Sequence, residues 1–342
     1  MKAMMKPWLS VLAALLLALS LVGCGAGKEQ QGETNGTAQE QPAETDGQEE
    51  STGQTPASDE GELKTEYPLT VTDATGTEIT FEQAPAKIVS LSPSETEKLF
   101  ALGLDEEIVG VTDYDDYPEA ATTKPRMGGF QVNEEALIAA GPDVVFSATM
   151  NAETAEQLRG LGITVYVNNP KTIEDVMESI LLLGQITDRQ AEAGQVVEQM
   201  KQELASVTEA VQSLSEEEKK KVYVEFSPGW TVGKGEFMDE MITLAGGINV
   251  AGDQEGWFEI SEENIIAANP DVILYSANVV DESSQKTLDV MIKERSGWDQ
   301  IEAIKNDRIV GLDDNLLSRP GPRVTQGLIE VAKAIYPELM NP

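Results

Sequence analysis

VNEEALIAAGPDVVFS (Val132 to Ser147) and ISEENIIAANPDVILY (Ile260 to Tyr275) are two versions of one pattern. They lie 128 residues apart, with eight of sixteen positions identical. Each copy opens on a capping-type residue, Asn133 or Ser261, followed by two glutamates and an apolar run at helical spacing. A Gly or Asn, then Pro-Asp, precedes a short apolar stretch. A side-chain acceptor before the first turn, acids where the helix dipole favours them, and a left-handed stop predict a short helix leading into a buried strand. A repeat at so long an interval is a duplicated lobe rather than a solenoid unit.

Outward from the two copies the alternation continues. Leu69 to Phe81 reads as a hairpin, Lys87 to Leu91 as a strand running into a helix opened by Ser92-Pro93, and Ile108 to Thr112 as the next strand. Ala152 to Gly160 and Thr172 to Leu183 have helical patterns, and Ile163 to Val167 that of a strand. From Asp188 to about Ser213 apolar residues recur at helical spacing through a polar-rich segment, predicting a helix of roughly 39 Å. After it, strands and helices alternate again to the last helix near Ile335. The expected fold is α/β, two Rossmann-like lobes with parallel sheets joined by a single long interlobe helix. The predicted division is an N-terminal lobe over 67–187, the helix over 188–214 and a C-terminal lobe over 215–342.

The amino end reads differently. Lys2 and Lys6 precede an apolar run from Trp8 to Val22, shorter than a spanning helix needs, which ends at Leu21-Val22-Gly23-Cys24. This predicts a lipoprotein signal peptide over 1–23 and lipidation of Cys24, the chain's one cysteine, so an extracytoplasmic protein anchored to the cell membrane by its N-terminal lipid. Residues 24–66, rich in Gln, Glu, Gly, Thr and Ala, read as a disordered acidic tether. The formal charge is −36, a field that repels phosphate backbones and argues against a nucleic-acid partner. Histidine is absent from the sequence, as are a G-x-S-x-G elbow, a Walker-type loop and a C-x-x-C pair. The usual parts of hydrolytic and zinc enzymes are therefore missing, and neither catalytic residues, resident metal nor cofactor is expected.

The strings KIVSLSPSETEKLFALGLDEEIVGVTDYDDYPEAA (Lys87 to Ala121), GWTVGKGEFMDEMITLAGGINVA (Gly229 to Ala251), WFEISEENIIAANPDVIL (Trp257 to Leu274) and RPGPRV (Arg319 to Val324) resemble the cobalamin- and iron-siderophore-binding proteins of ABC importers. The resemblance runs from Tyr67 to Pro342. It implies a ligand held between the lobes and handed to a permease driven by an ATPase, with the bound ligand itself carrying cobalt or iron. Within that family GVTDYDDYP is most like the cobalamin binders, with Tyr114 and Trp257 falling where cleft aromatics contact the corrin. Phe130 and Trp230 fall in loops where these proteins place aromatics. A tryptophan that such proteins carry after the first PDVV-type strand has its counterpart near Ala148 or Thr149 here. Arg319 and Arg323 bracket Pro320-Gly321-Pro322, where a guanidinium would grip a carboxylate or phosphate of the ligand, or close an internal ion pair. The resemblance further implies that Glu135 and Glu263, each seven residues before the repeated proline, pair with arginines of the permease.

The favoured ligand is a corrinoid, with ferric siderophore or haem as the alternative, and a monomer is expected. A reading of another class, an extracytoplasmic enzyme using carboxylates such as Glu134 and Glu135, is weaker, because adjacent helical residues point about 100° apart.

Overall fold

The structure, a computed structural model, describes residues 63–340. The signal peptide, Cys24 and nearly all of the expected tether lie outside the described residues. A hairpin, β1 (Leu69–Thr72) and β2 (Glu78–Phe81), pairs Leu69 with Phe81 as the alternation predicts. Four strands then form the first sheet: β3 (Ile88–Ser90), β4 (Ile108–Gly110), β5 (Val144–Ala148) and β6 (Val165–Asn168). Their spatial order is β4-β3-β5-β6, all parallel. Helices α1 (Pro93–Ala101), α2 (Glu134–Ala140) and α3 (Ala152–Gly160) make the crossovers. Ile88, Val89 and the stretch Val144 to Phe146 are fully buried, as strands covered on both faces must be.

Two helices leave this lobe, α4 (Ile173–Thr187) and α5 (Gln190–Val211). The long helix begins two residues later than its apolar spacing suggested. Asp188 adopts a left-handed conformation (φ 58°) that terminates α4, and its carboxylate accepts from the Thr65 N–H at 2.8 Å. At 22 residues α5 spans about 33 Å. It packs on α1 and α4 at one end and reaches helices of the second lobe beyond.

The second sheet comprises β7 (Lys221–Glu225), β9 (Ile248–Asn249), β11 (Val272–Ser276) and β12 (Ile309–Leu312), with β8 (Trp230–Val232) and β10 (Trp257–Glu259) as a separate antiparallel pair. Its order, β12-β11-β7-β9, is again wholly parallel. Counted within each lobe, both sheets run 2-1-3-4. The helices here are α6 (Phe237–Leu244), α7 (Glu262–Ala268), α8 (Leu288–Glu294), α9 (Glu302–Lys305), α10 (Asp314–Ser318), α11 (Val324–Ile335) and α12 (Pro337–Met340). The interlobe helix α5 rests on α11 and α12. The β8–β10 pair is absent from the sequence reading, because three-residue strands carry too little alternation to stand out.

The repeat occupies the same place twice, as the helix and third strand of each lobe. Asn133 accepts from Ala136 N–H and Ser261 from Asn264 N–H, while Gly141 (φ 58°) and Asn269 (φ 48°) supply the left-handed stops. The repeated aspartate has a function that its spacing alone does not announce. Asp143 donates its N–H to the Lys87 carbonyl, and its carboxylate accepts from Ala86 and Lys87 N–H, each at 2.8 Å. Asp271 does the same to Lys221, N–H to carbonyl and carboxylate from N–H, both at 2.8 Å. Each aspartate therefore pins the third strand to the start of the first. Asp143→Ala and Asp271→Ala should each lower stability by about 1 kcal/mol, read as a matched fall in urea midpoint; an effect confined to one lobe would contradict the equivalence.

Candidate functional site

In open parallel sheets, loops at the carboxyl ends of strands hold ligands where the strand order reverses. That place is between β3 and β5 in the first lobe and between β7 and β11 in the second. A cavity of about 430 Å³ lies at the first of these, lined by Leu91 and Ser92 after β3, by Ala148, Met150 and Asn151 around the end of β5, and by Asp314 and Arg319 from the segment after β12 of the second lobe. Tyr114 and Phe130 also line it. Their rings are tilted at 58° with centroids 5.2 Å apart. Phe130 is 81% exposed and Met150 77%, so two large apolar side chains stand in the opening with little protein against them. That is costly unless something else covers them.

The position of Tyr114 depends on a glycine. A Cβ at Gly129 would sit 2.8 Å from the Tyr114 hydroxyl oxygen, so the ring lies across bare backbone. Beneath it Asp115 is buried, accepting from Thr112 N–H at 2.7 Å and from its hydroxyl at 2.5 Å. Burial pushes the Asp115 carboxyl above its ordinary pKa even against these hydrogen bonds. Asp116 turns outward to Arg319. Among the described residues no group of three or more carboxylates is arranged to hold a metal.

Trp230 and Trp257 lie elsewhere, at the carboxyl end of β7, and neither lines this cavity. Trp257 packs edge-on against Phe226 (4.7 Å, 88°) and tilted against Phe237 (5.9 Å). The loop into Trp230 is held by Glu225, a fully buried carboxylate that accepts from Gly229 N–H at 3.0 Å and is gripped bidentately by Arg295 at 2.6 Å. Both tryptophans keep more than a third of their surface open. The third tryptophan of the described residues, Trp298, is fully buried against Tyr223 and Arg295.

The two arginines of RPGPRV converge on one side chain of the opposite lobe. Glu97 on α1 is 3% exposed. Arg323 binds it through Nε at 2.8 Å and Nη2 at 2.6 Å, and Arg319 through Nη1 at 3.1 Å. Arg319 also holds Asp116 at 2.6 Å, and the Arg323 guanidinium lies 3.8 Å from the centre of the Tyr117 ring. Burial alone would weaken the charge on Arg323, but Glu97 outweighs it and raises the pKa above its ordinary value. A second cavity of about 360 Å³ lies behind this cluster, against Phe100, Val196 and Met200. It faces the interlobe helix rather than the strand ends, so the front cavity is the better candidate for capture.

Glu135 and Glu263 occupy the same second position of α2 and α7, both exposed. Neighbouring Glu262 lies 3.5 Å from Arg295, whereas among the described residues neither Glu135 nor Glu263 has an ion-pair partner. Sequence reasoning overlooked Met150 and Glu97. A methionine just past a buried strand was a usable signal for the first; nothing local marks the second.

A family model described as periplasmic binding protein matches residues 88–316. The chain is 37% identical over 284 residues to an uncharacterized ABC transporter substrate-binding lipoprotein of Bacillus subtilis, across 80% of this chain and 88% of that one. It is 28% identical to a cobalamin-binding protein of Halobacterium salinarum, across 79% and 74%. Among solved structures it resembles a possible iron-binding (periplasmic solute-binding) protein from Staphylococcus epidermidis, with a TM-score of 0.65 and 32% identity over 74% of this chain and 100% of that one. Breaking the Glu97 cluster leaves two partly buried guanidinium groups short of their carboxylate. Glu97→Gln should cost about 3 kcal/mol, seen as a lower thermal midpoint, and a variant as stable as the parent would show that the cluster contributes nothing.

Proposed function

Because the chain belongs to the periplasmic binding protein family and is the substrate-binding component of an ABC transporter, we propose that it captures a metal chelate, a cobalamin or other corrinoid foremost, in the front cavity and delivers it to the permease. The observation that carries this reading is the exposed apolar set of Tyr114, Phe130 and Met150 at the carboxyl ends of the first sheet. A large flat ligand offers such side chains a wide contact area, and aromatic rings gain it at low entropic cost. Trp230 and Trp257, outside this cavity, are a separate half-open aromatic surface of the second lobe, and Arg319 lines the cavity itself. The cobalamin-binding relative supports a corrinoid. The alternative, a ferric siderophore or haem, draws on the possible iron-binding relative and on Ala148, which stands near where the resemblance implied a tryptophan.

In this reading Cys24 carries the lipid that holds the protein outside the cytoplasmic membrane, and one monomer carries one ligand. Glu135 and Glu263 are the docking contacts. Their equivalent places on two lobes suit a receptor that must present matching charges to a two-fold partner. Charges of this kind govern orientation and association rate more than stability.

Native mass spectrometry with cyanocobalamin, ferric hydroxamates, ferric catecholates and haem should show one adduct per chain for one of these classes, with quenching of tryptophan fluorescence. No adduct at micromolar concentration would rule out chelate capture. Glu135→Arg and Glu263→Arg should leave ligand affinity and melting temperature close to the parent while uptake into cells falls sharply. Uptake at the parental rate, or lost ligand binding, would make these glutamates helix-terminus residues only.

A further inference from the structure

The charges around the front cavity are unevenly spent. Arg319 is the only cation among the residues that line it, and it is engaged by Glu97 at 3.1 Å and Asp116 at 2.6 Å, while its Nη2 donates to the Tyr114 carbonyl at 3.3 Å. Asp314, on the same wall, accepts from the Ser276 hydroxyl at 2.9 Å and from the Ser318 hydroxyl at 3.3 Å. Among the described residues it has no ion-pair partner. Asp116 remains exposed at the rim, with Asn315 donating to it at 3.4 Å. The other polar side chains of the lining are neutral: the hydroxyls of Ser92, Ser94, Thr112, Tyr114 and Ser318 and the amides of Asn151 and Asn315.

From this distribution we propose that the cavity selects its ligand by charge, accepting neutral or cationic chelates and rejecting those that bear several carboxylates or phenolates. An anionic chelate would meet Asp314 with no free guanidinium to offset it, because Asp116 at the rim already occupies Arg319, and like charges brought together in a partly desolvated site oppose binding strongly. It would also approach against the field of a chain with formal charge −36. A neutral ligand rich in amides finds hydroxyl and amide partners instead, and a cationic one finds Asp314. The role of Arg319 is then to hold the lobes and the Tyr114 loop, not to grip an anion. This inference rests on the chelate-capture reading above and narrows it.

The test compares charge within each chelate class on the full mature protein: cyanocobalamin against the polycarboxylate cobyrinic acid, cationic ferrioxamine B against anionic ferric enterobactin, and haem dimethyl ester against haem. Within the class that binds, titration calorimetry should give the neutral or cationic member an affinity at least about tenfold higher. Binding of the anionic member should strengthen as salt screens the repulsion. Asp116→Asn, which returns part of Arg319 to the cavity, should raise the ratio of anionic to neutral affinity about tenfold. An anionic member binding tightest, or an Asp116→Asn variant with an unchanged ratio, overturns charge selection while chelate capture stands. If no member of any pair binds, chelate capture fails and charge selection fails with it.

Discussion

One carboxylate, Glu97, joins the two halves of this molecule from the inside. It sits on the first helix of the first lobe, almost fully buried, and is held by two guanidinium groups at the entrance to the last long helix of the second. A buried carboxylate is expensive to desolvate, and the arrangement persists only because several directed hydrogen bonds replace the lost water. Removing Glu97 deprives both guanidinium groups of their shared partner. The cluster also ties the second lobe to the cavity wall of the first, because Arg319 reaches from it to Asp116 and the Tyr114 carbonyl. The interlobe helix works in the same direction. Its one glycine, Gly194, and lack of proline give it no obvious place to bend.

Much of the fold was legible from the repeat. Capping residues, first-turn acids and a left-handed stop are local signals, and the structure honours them at Asn133, Ser261, Gly141 and Asn269. The parallel character of both sheets followed from alternation of helices and strands. The identical 2-1-3-4 order did not, because strand order is fixed by crossovers whose direction leaves no periodicity in the chain. The α1 segment PSETEKLFA was readable as a helix start, yet its polar residues from Ser94 to Lys98 are buried. Covering them takes the opposite lobe and a fully buried Glu95–Lys98 pair at 2.8 Å, and no local pattern announces either.

The candidate site was legible in part for the same reason. Tyr114, Phe130 and Arg319 all line one cavity, although they come from three separate stretches. Trp230 and Trp257 share the separate β8–β10 pair and not that cavity, since the loop into the pair is held by the Gly229 N–H donating to Glu225 and Trp257 packs edge-on against Phe226. A composition scan sees the aromatic residue but not the side of the strand on which it lands. The destination of the arginine charge was likewise invisible, because its partner is more than two hundred residues away in the chain.

The paired aspartates at the start of each third strand divide the protein's labour between two edges. Asp143 and Asp271 fasten the amino ends of the sheets, while the lining of the candidate cavity sits at the carboxyl ends. Apart from Ala148, that lining comes from short connections that bear none of the strand pairing. Such a scaffold can be re-aimed at a different cargo by exchanging those connections, with the frame that presents them left intact.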